Sequence, residues 1–203
     1  MRGANGVRDQ MALLLTSEMP RKVPLLREAW NLDAAKLPEV KKVVSGDMPE
    51  QALTSSESMV VVINPRLLRS VRTGDFDEHG APEYRSRYSC RVYIWALGND
   101  WDAAIAARDN LAACARLCLF EYPTLTNEGG DTGYLMYENT YTEDFGVPVR
   151  AGGSRCWAAA ILSIDADVEE HVDAGSTVPP LGTAQQIAAT TQAVGPTQPL
   201  PGG

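Results

Sequence analysis

Histidine is almost missing from this 203-residue chain: His79 and His171 are the only two, beside four cysteines. A zinc site needs paired, closely spaced Cys or His ligands, and no such spacing is present. Cys114 and Cys118 stand four apart in a segment that reads as helix, and Cys90 and Cys156 in segments that read as strands. Buried, reduced thiols acting as small hydrophobes are expected, with a Cys90–Cys156 contact across neighbouring strands as the alternative. Long apolar runs are missing too. None approaches the roughly 20 residues that span a bilayer, so no membrane partner is expected. The apolar run at residues 11–15 is followed by Glu18 rather than a small-residue cleavage site, which reads as no signal peptide and assembly in the cytoplasm. Basic charge is scarce: 18 Lys and Arg stand against 26 Asp and Glu, a net charge of −8. That balance argues against a simple nucleic-acid binder. An acidic surface instead leaves DNA that passes close by unattracted.

Catalytic signatures are equally sparse. There is no Gly-x-Ser-x-Gly elbow. The glycine-rich stretch at residues 127–133, with Glu128 and Asp131, lacks the Lys-Ser/Thr of a phosphate loop and precedes a strand rather than a helix, so it reads as a loop. Asp75, Asp77 and His79 cluster in an acidic turn whose spacing matches no calcium loop. A metal-dependent hydrolase built on them is the enzymatic alternative. The expectation is a non-enzyme with no metal and no cofactor.

What is present is a strand-and-helix unit. Residues 87–97 alternate, with Tyr88, Cys90, Val92, Ile94 and Ala96 on one face and Arg87, Ser89, Arg91, Tyr93 and Trp95 on the other. A helix then starts at Asn99 or Asp100, either able to cap it, and ends at Tyr122-Pro123. On a helical projection Trp101, Ala104, Ile105, Leu111, Ala112, Ala115 and Leu119 make a broad apolar face. Ala103, Ala106, Ala107, Ala113, Cys114 and Leu117 make a second face of mostly small residues. A one-sheet monomer covers only the first, so the second is a candidate contact with either the N-terminal helix or an adjacent subunit. Alanine's helix propensity offers a plainer account. Arg108 projects into the apolar face, where an unpaired guanidinium is costly. It calls for a carboxylate or carbonyl partner within the chain, or for a salt bridge to a neighbouring subunit.

Around this unit, residues 7–19 read as an amphipathic helix ended by Pro20 and Pro24, with 25–30 as a further helical turn. Residues 40–44 read as an edge strand or extended chain. Residues 59–63 read as a strand buried on both faces. Arg66, Arg69 and Arg72 share one face if residues 66–73 are helical and do not if they form a strand. They are candidates, with the acidic turn (Asp75, Asp77) and the loop at 127–133 (Glu128, Asp131), for meeting a partner or DNA. Residues 134–141 and 156–165 read as an antiparallel pair joined by residues 147–153, and Glu169-Glu170-His171 as a polar end to the last strand. From residue 174 onward no side chain is charged and Pro, Gly, Thr, Ala and Gln dominate. Such a segment cannot fold alone and reads as a tail or as an arm ordered against neighbouring subunits. The expected class is α+β: a small mixed or antiparallel sheet packed with two main helices over residues 1–173, plus an extended C-terminal arm over 174–203.

The order of a first amphipathic helix, a strand, the Tyr-x-Cys-Arg-Val-Tyr-Ile-Trp run at residues 88–95, Ala-Arg-Asp-Asn-Leu at 107–111 and a final Ala-rich strand resembles tail terminator proteins of long-tailed bacteriophages, over about residues 7–168. The resemblance implies subunits that form a hexameric ring, which caps the tail tube, ends its polymerisation and joins it to the head, with DNA passing through the lumen without sequence-specific binding. Tail tube protein and a neck or stopper protein are the implied partners, and the tail–neck junction of the virion the implied location. Residues 34–58 and the Pro-rich arm depart from the compact core of that family. Another neck component, such as the head–tail stopper, is the nearest alternative.

Overall fold

The computed structural model describes residues 3–46, 57–76, 82–126, 132–152 and 154–171. The arm at 174–203 lies outside them. The fold is α+β. A long helix, α1 (Gly3–Trp30), precedes the strands β1 (Val43–Ser45), β2 (Met59–Val62), β3 (Arg66–Phe76) and β4 (Pro82–Gly98). Helix α2 (Trp101–Glu121) leads to β5 (Thr124–Thr126), β6 (Thr132–Leu135), the single turn α3 (Tyr137–Thr140), β7 (Thr142–Phe145), β8 (Val149–Gly152) and β9 (Arg155–His171).

The sheet is built on one ladder. The 17-residue strands β4 and β9 pair antiparallel along their whole length, from Glu83↔His171 to Gly98↔Cys156. The far edge of β4 takes β2 at one end and β3 at the other, both antiparallel, and β1 adds to β2 in parallel. The far edge of β9 takes β6, β7 and β8 in turn, and β5 pairs with β6. The alternation expected for residues 87–97 holds and extends: Tyr88, Cys90, Val92, Ile94 and Ala96 are buried in the main core with Leu162, Ile164, Ala166 and Val168 of β9. Both helices contribute to that same core, so they cover one face of the sheet. β2 is buried on both faces, as its unbroken β-branched run predicts, and β1 is the edge strand foreseen near residues 40–44.

Three expectations are corrected. Pro20 and Pro24 do not end the first helix; both lie inside α1, on its exposed side. The buried stripe Val7, Met11, Leu15, Met19, Val23 and Leu26 runs straight past them. Burying Met19, Val23 and Leu26 contributes about 1.5–3 kcal/mol each, enough together to offset the roughly 3 kcal/mol that each interior proline costs. The actual stop is Asn31, left-handed at φ 51°. Its N–H donates to the Glu28 carbonyl (3.3 Å) and that of Leu32 to the Arg27 carbonyl (2.9 Å), closing a Schellman turn.

Residues 134–141 are not one strand. β6 stops at Leu135, and α3 loops out before β7 resumes pairing with β9. Phe120 of α2 pulls the loop inward, with Tyr137 and Tyr141 at 5.0 and 4.9 Å between ring centroids. The Thr140 hydroxyl then accepts the Asp165 N–H (2.9 Å) that a continuous strand would have taken. The connection at 147–153 is likewise partly strand, because β8 pairs with the start of β9.

The helix after β4 begins as expected: Asp100 Oδ1 accepts the Ala103 N–H at 2.7 Å. Gly98 makes the tight passage possible, since a Cβ there would stand 2.2 Å from the Ala104 backbone nitrogen. All four cysteines are buried and free. Cys90 is opposite Ile164 and Cys156 opposite Gly98, eight positions apart on the ladder, so the Cys90–Cys156 contact does not form. Burial pushes the Cys90 thiol up to about 12.

Candidate interaction surface

Because α1 and α2 share one side of the sheet, the other face has no helix over it among the described residues. That face divides into two halves. Toward the β2 end it is apolar: Met59 and Val61 are buried beneath Val44, Ile63, Tyr93 and Trp95. Trp95 meets Trp157 edge to face, with ring centroids 6.3 Å apart and planes at 81°. The buried Trp95 Nε1–H has no hydrogen-bond partner among the described residues, a rare condition for a buried donor. Toward the β3 end the face is charged. Arg85, Arg87 and Arg91 of β4 share it with Asp165, Asp167 and Glu169 of β9.

The three arginines singled out in the sequence lie on a strand, β3, and two of them belong to this face. A register shift between Leu67 and Arg69 inserts one extra residue. Without it Arg66 and Arg69 would face opposite ways; with it both lie opposite outward residues, Ser89 and Arg87, while Arg72 falls opposite Tyr84 on the other side. Arg69, Val71, Thr73, Arg85, Arg87 and Asp167 line a cleft of about 410 Å³. Arg87 grips Asp167 with Nε at 2.7 Å and Nη2 at 3.2 Å, and Arg85 adds a contact at 3.2 Å. Hydrogen bonding from Arg87 outweighs desolvation and holds the Asp167 carboxyl below its ordinary range. Desolvation dominates at Asp165 and raises it. Arg66 and Arg69 have no side-chain partner among the described residues.

The remaining candidates separate. Arg108 is 8 % exposed and finds partners within its own chain: Nη1 donates to the Gly146 carbonyl (2.9 Å), Nε to Asp109 Oδ1 (2.8 Å), and the guanidinium lies 4.8 Å from the Phe145 ring centroid. In the small-residue face of α2, Ala107 and Cys114 are buried, and Ala103, Ala106, Ala113 and Leu117 half-buried. Helix α1 packs on α2, tied by a Lys22–Glu121 ion pair, so the N-terminal helix is one of the two neighbours foreseen for this helix. Asp75 stands on β3 with its side chain outside the described residues; Asp77, His79, Glu128 and Asp131 lie outside them altogether. Among the described residues, no three His, Cys, Asp or Glu side chains are grouped to hold a metal ion, and no helix is long and apolar enough to cross a membrane.

Two features escaped the sequence reading. Glu170, taken there as a polar strand end, sits on the helix side and accepts from Gly3 N–H (2.8 Å), Ser86 Oγ (2.6 Å) and Tyr88 Oη (2.9 Å), anchoring the start of α1. Burial and this carboxylate push the Tyr88 hydroxyl up to about 12. The second feature is the exposure of Leu67, Leu68 and Val71 on β3 and of Phe145, Val147 and Val149 around β7 and β8. The Leu67-Leu68 doublet, which breaks the alternation of β3, was its one visible signal. Compared with known proteins, the chain matches no family model, and no curated protein is significantly similar to it.

Proposed function

We propose that this chain is a structural subunit of a bacteriophage virion, of the tail-terminator kind. Its copies form a ring, a hexamer, that caps the tail tube at the tail–neck junction. There the ring ends tube polymerisation and joins the tail to the head or neck protein, with DNA passing through the lumen. The observation that carries the reading is the sheet face that has no helix over it among the described residues. A monomer with helices on one side only is expected to present a polar second face, yet half of this one is built from Met59, Val61, Tyr93, Trp95 and Trp157. Met59, Val61 and Trp157 are buried within the chain itself, so what this half leaves for a partner is the half-buried Tyr93, Trp95 and Leu97. An apolar area beside a charged rim suits a protein contact. The order of elements adds the resemblance to terminators, and the net charge of −8 suits a ring that lets DNA slide through.

The test is to purify the chain, weigh it in solution, and add it to polymerising tail tubes under the electron microscope. Rings seated at one tube end, with elongation halted, are expected. Rings that bind only the neck side would make the protein a stopper. A monomer that binds a divalent metal and hydrolyses substrate would overturn the structural reading in favour of an enzyme. A strongly positive lumen in the assembled ring would refute the part assigned to the acidic charge.

A further inference from the structure

We propose that the free edge of β3 pairs with the β7–β8 edge of a second copy, so that neighbouring subunits join their sheets. The inference rests on the ring reading and names the contact that would build it.

Strand β3 is eleven residues long and pairs, among the described residues, only with β4. Its other edge is open, and residues 66–73 are all exposed. An open edge of this length offers a row of unpaired backbone donors and acceptors, and monomeric proteins ordinarily keep such edges short or covered. Leu67, Leu68 and Val71 add exposed apolar surface, at 50, 48 and 42 %.

The charge on this edge selects its partner. Arg66 and Arg69, brought to one side by the extra residue between Leu67 and Arg69, oppose the approach of a second β3, so a two-fold β3–β3 dimer is disfavoured. An opposite charge on the same face is welcome, and Asp144 of β7, opposite Ile161, supplies one. Its neighbour Glu143 is tied to Arg116 (2.9 Å) on the helix side, and β8 carries the exposed Arg150. Asp144 is therefore the carboxylate this edge presents to Arg66 and Arg69, with Phe145, Val147 and Val149 exposed beside it at 49, 86 and 51 %. Asp144 has no side-chain partner among the described residues.

The strand directions agree. β3, β4, β9 and β7 are successively antiparallel. A copy turned about an axis inclined to the strands, and so shifted along them, brings its β3 antiparallel to β7, and the sheet continues. The contact joins two different surfaces, so it propagates and closes when the rotation divides a circle. Because β3 pairs with residues 82–89 of β4, level with β6, while β7 pairs further along, at residues 160–163 of β9, the joined strands are offset lengthwise and inclined to the ring axis, as the stagger of a barrel requires.

The test is charge exchange in the full chain, read by sedimentation across a concentration series, with circular dichroism to establish folding. Arg69→Glu and Asp144→Arg should each weaken association about tenfold or more. The double variant Arg69→Glu/Asp144→Arg should restore it, and raised salt should weaken the wild type. If the wild type assembles and folded single variants assemble equally well, the edge pairing is wrong and the ring reading stands. If both singles weaken assembly and the double does not recover, the two edges do not meet. A wild type that stays monomeric even on tail tubes would sink both readings.

Discussion

Arg87 and Asp167 face each other directly across the central β4–β9 ladder, and the guanidinium reaches both carboxylate oxygens, at 2.7 and 3.2 Å. Opposite charges at a cross-strand pair stabilise the pairing. Asp167 is the more sheltered partner and its pKa is lowered, first by the hydrogen bond from Arg87. A carboxyl whose folded pKa lies below its unfolded value contributes stability that is present above the unfolded pKa, about 3.9. That contribution is lost as pH falls through the folded value. Asp167→Asn should therefore lower the urea midpoint at pH 7, with the gap between variant and wild type shrinking at a second, acid pH below the unfolded value of about 3.9. Equal offsets at both pH values would show that the charge itself contributes nothing.

Gly98 ends β4 where α2 turns back over the sheet, and a methyl group there would stand 2.2 to 2.7 Å from backbone atoms of Ala103 and Ala104. Backbone cannot yield as a flexible side chain can, so the start of α2 would have to move off β9. Gly98→Ala should cost about 3 kcal/mol, at the upper end for overpacking, measured by thermal or urea unfolding. A loss below about 1 kcal/mol would mean that the helix start is more pliable than its packing implies.

Arg108 offers a test that separates folding from assembly. Its guanidinium fills hydrogen bonds to Gly146 and Asp109 beneath the Phe145 ring. Arg108→Met keeps much of the volume but leaves the Gly146 carbonyl without this donor, a loss of about 1–3 kcal/mol. The loss should appear in the monomer at low concentration. Sedimentation of the folded variant should show association unchanged; a selective loss of association would return Arg108 to the subunit interface.

The β4–α2 unit was legible because each signal in it is local. Alternation in residues 87–97, the Asp100 cap and the apolar stripe of α2 depend on neighbours within a turn or two. Burial of β2 on both faces followed from its unbroken apolar run. Arg108 announced its need for a partner but not which one, since Gly146 is 38 residues away. What could not be read depends on contacts remote in sequence. The α3 loop-out is set by Phe120 packing on Tyr137 and Tyr141. The face shared by Arg66 and Arg69 is set by one extra residue relative to β4, and the sheet face without a helix among the described residues exists because both helices chose the same side. The prolines of α1 misled for a related reason: propensity is local, whereas the stripe from Val7 to Leu26 is held by the whole core.

That last point is open to direct measurement. Pro20 and Pro24 lie on the exposed side of α1, and each leaves a carbonyl one turn earlier, Thr16 or Pro20, without its helical donor. The buried residues on either side, Met19 and Val23, already sit correctly for an unbroken helix. Pro20→Ala therefore restores a donor without asking the core to move, and should raise stability by about 1–3 kcal/mol. Some of that gain is given back, because proline also restricts the unfolded chain. A rise in melting temperature, with no change in association, is the expected result. A fall would mean that the proline-shaped bend itself seats the second half of α1 against the sheet, and that Val23 and Leu26 reach the core only because the helix is not straight.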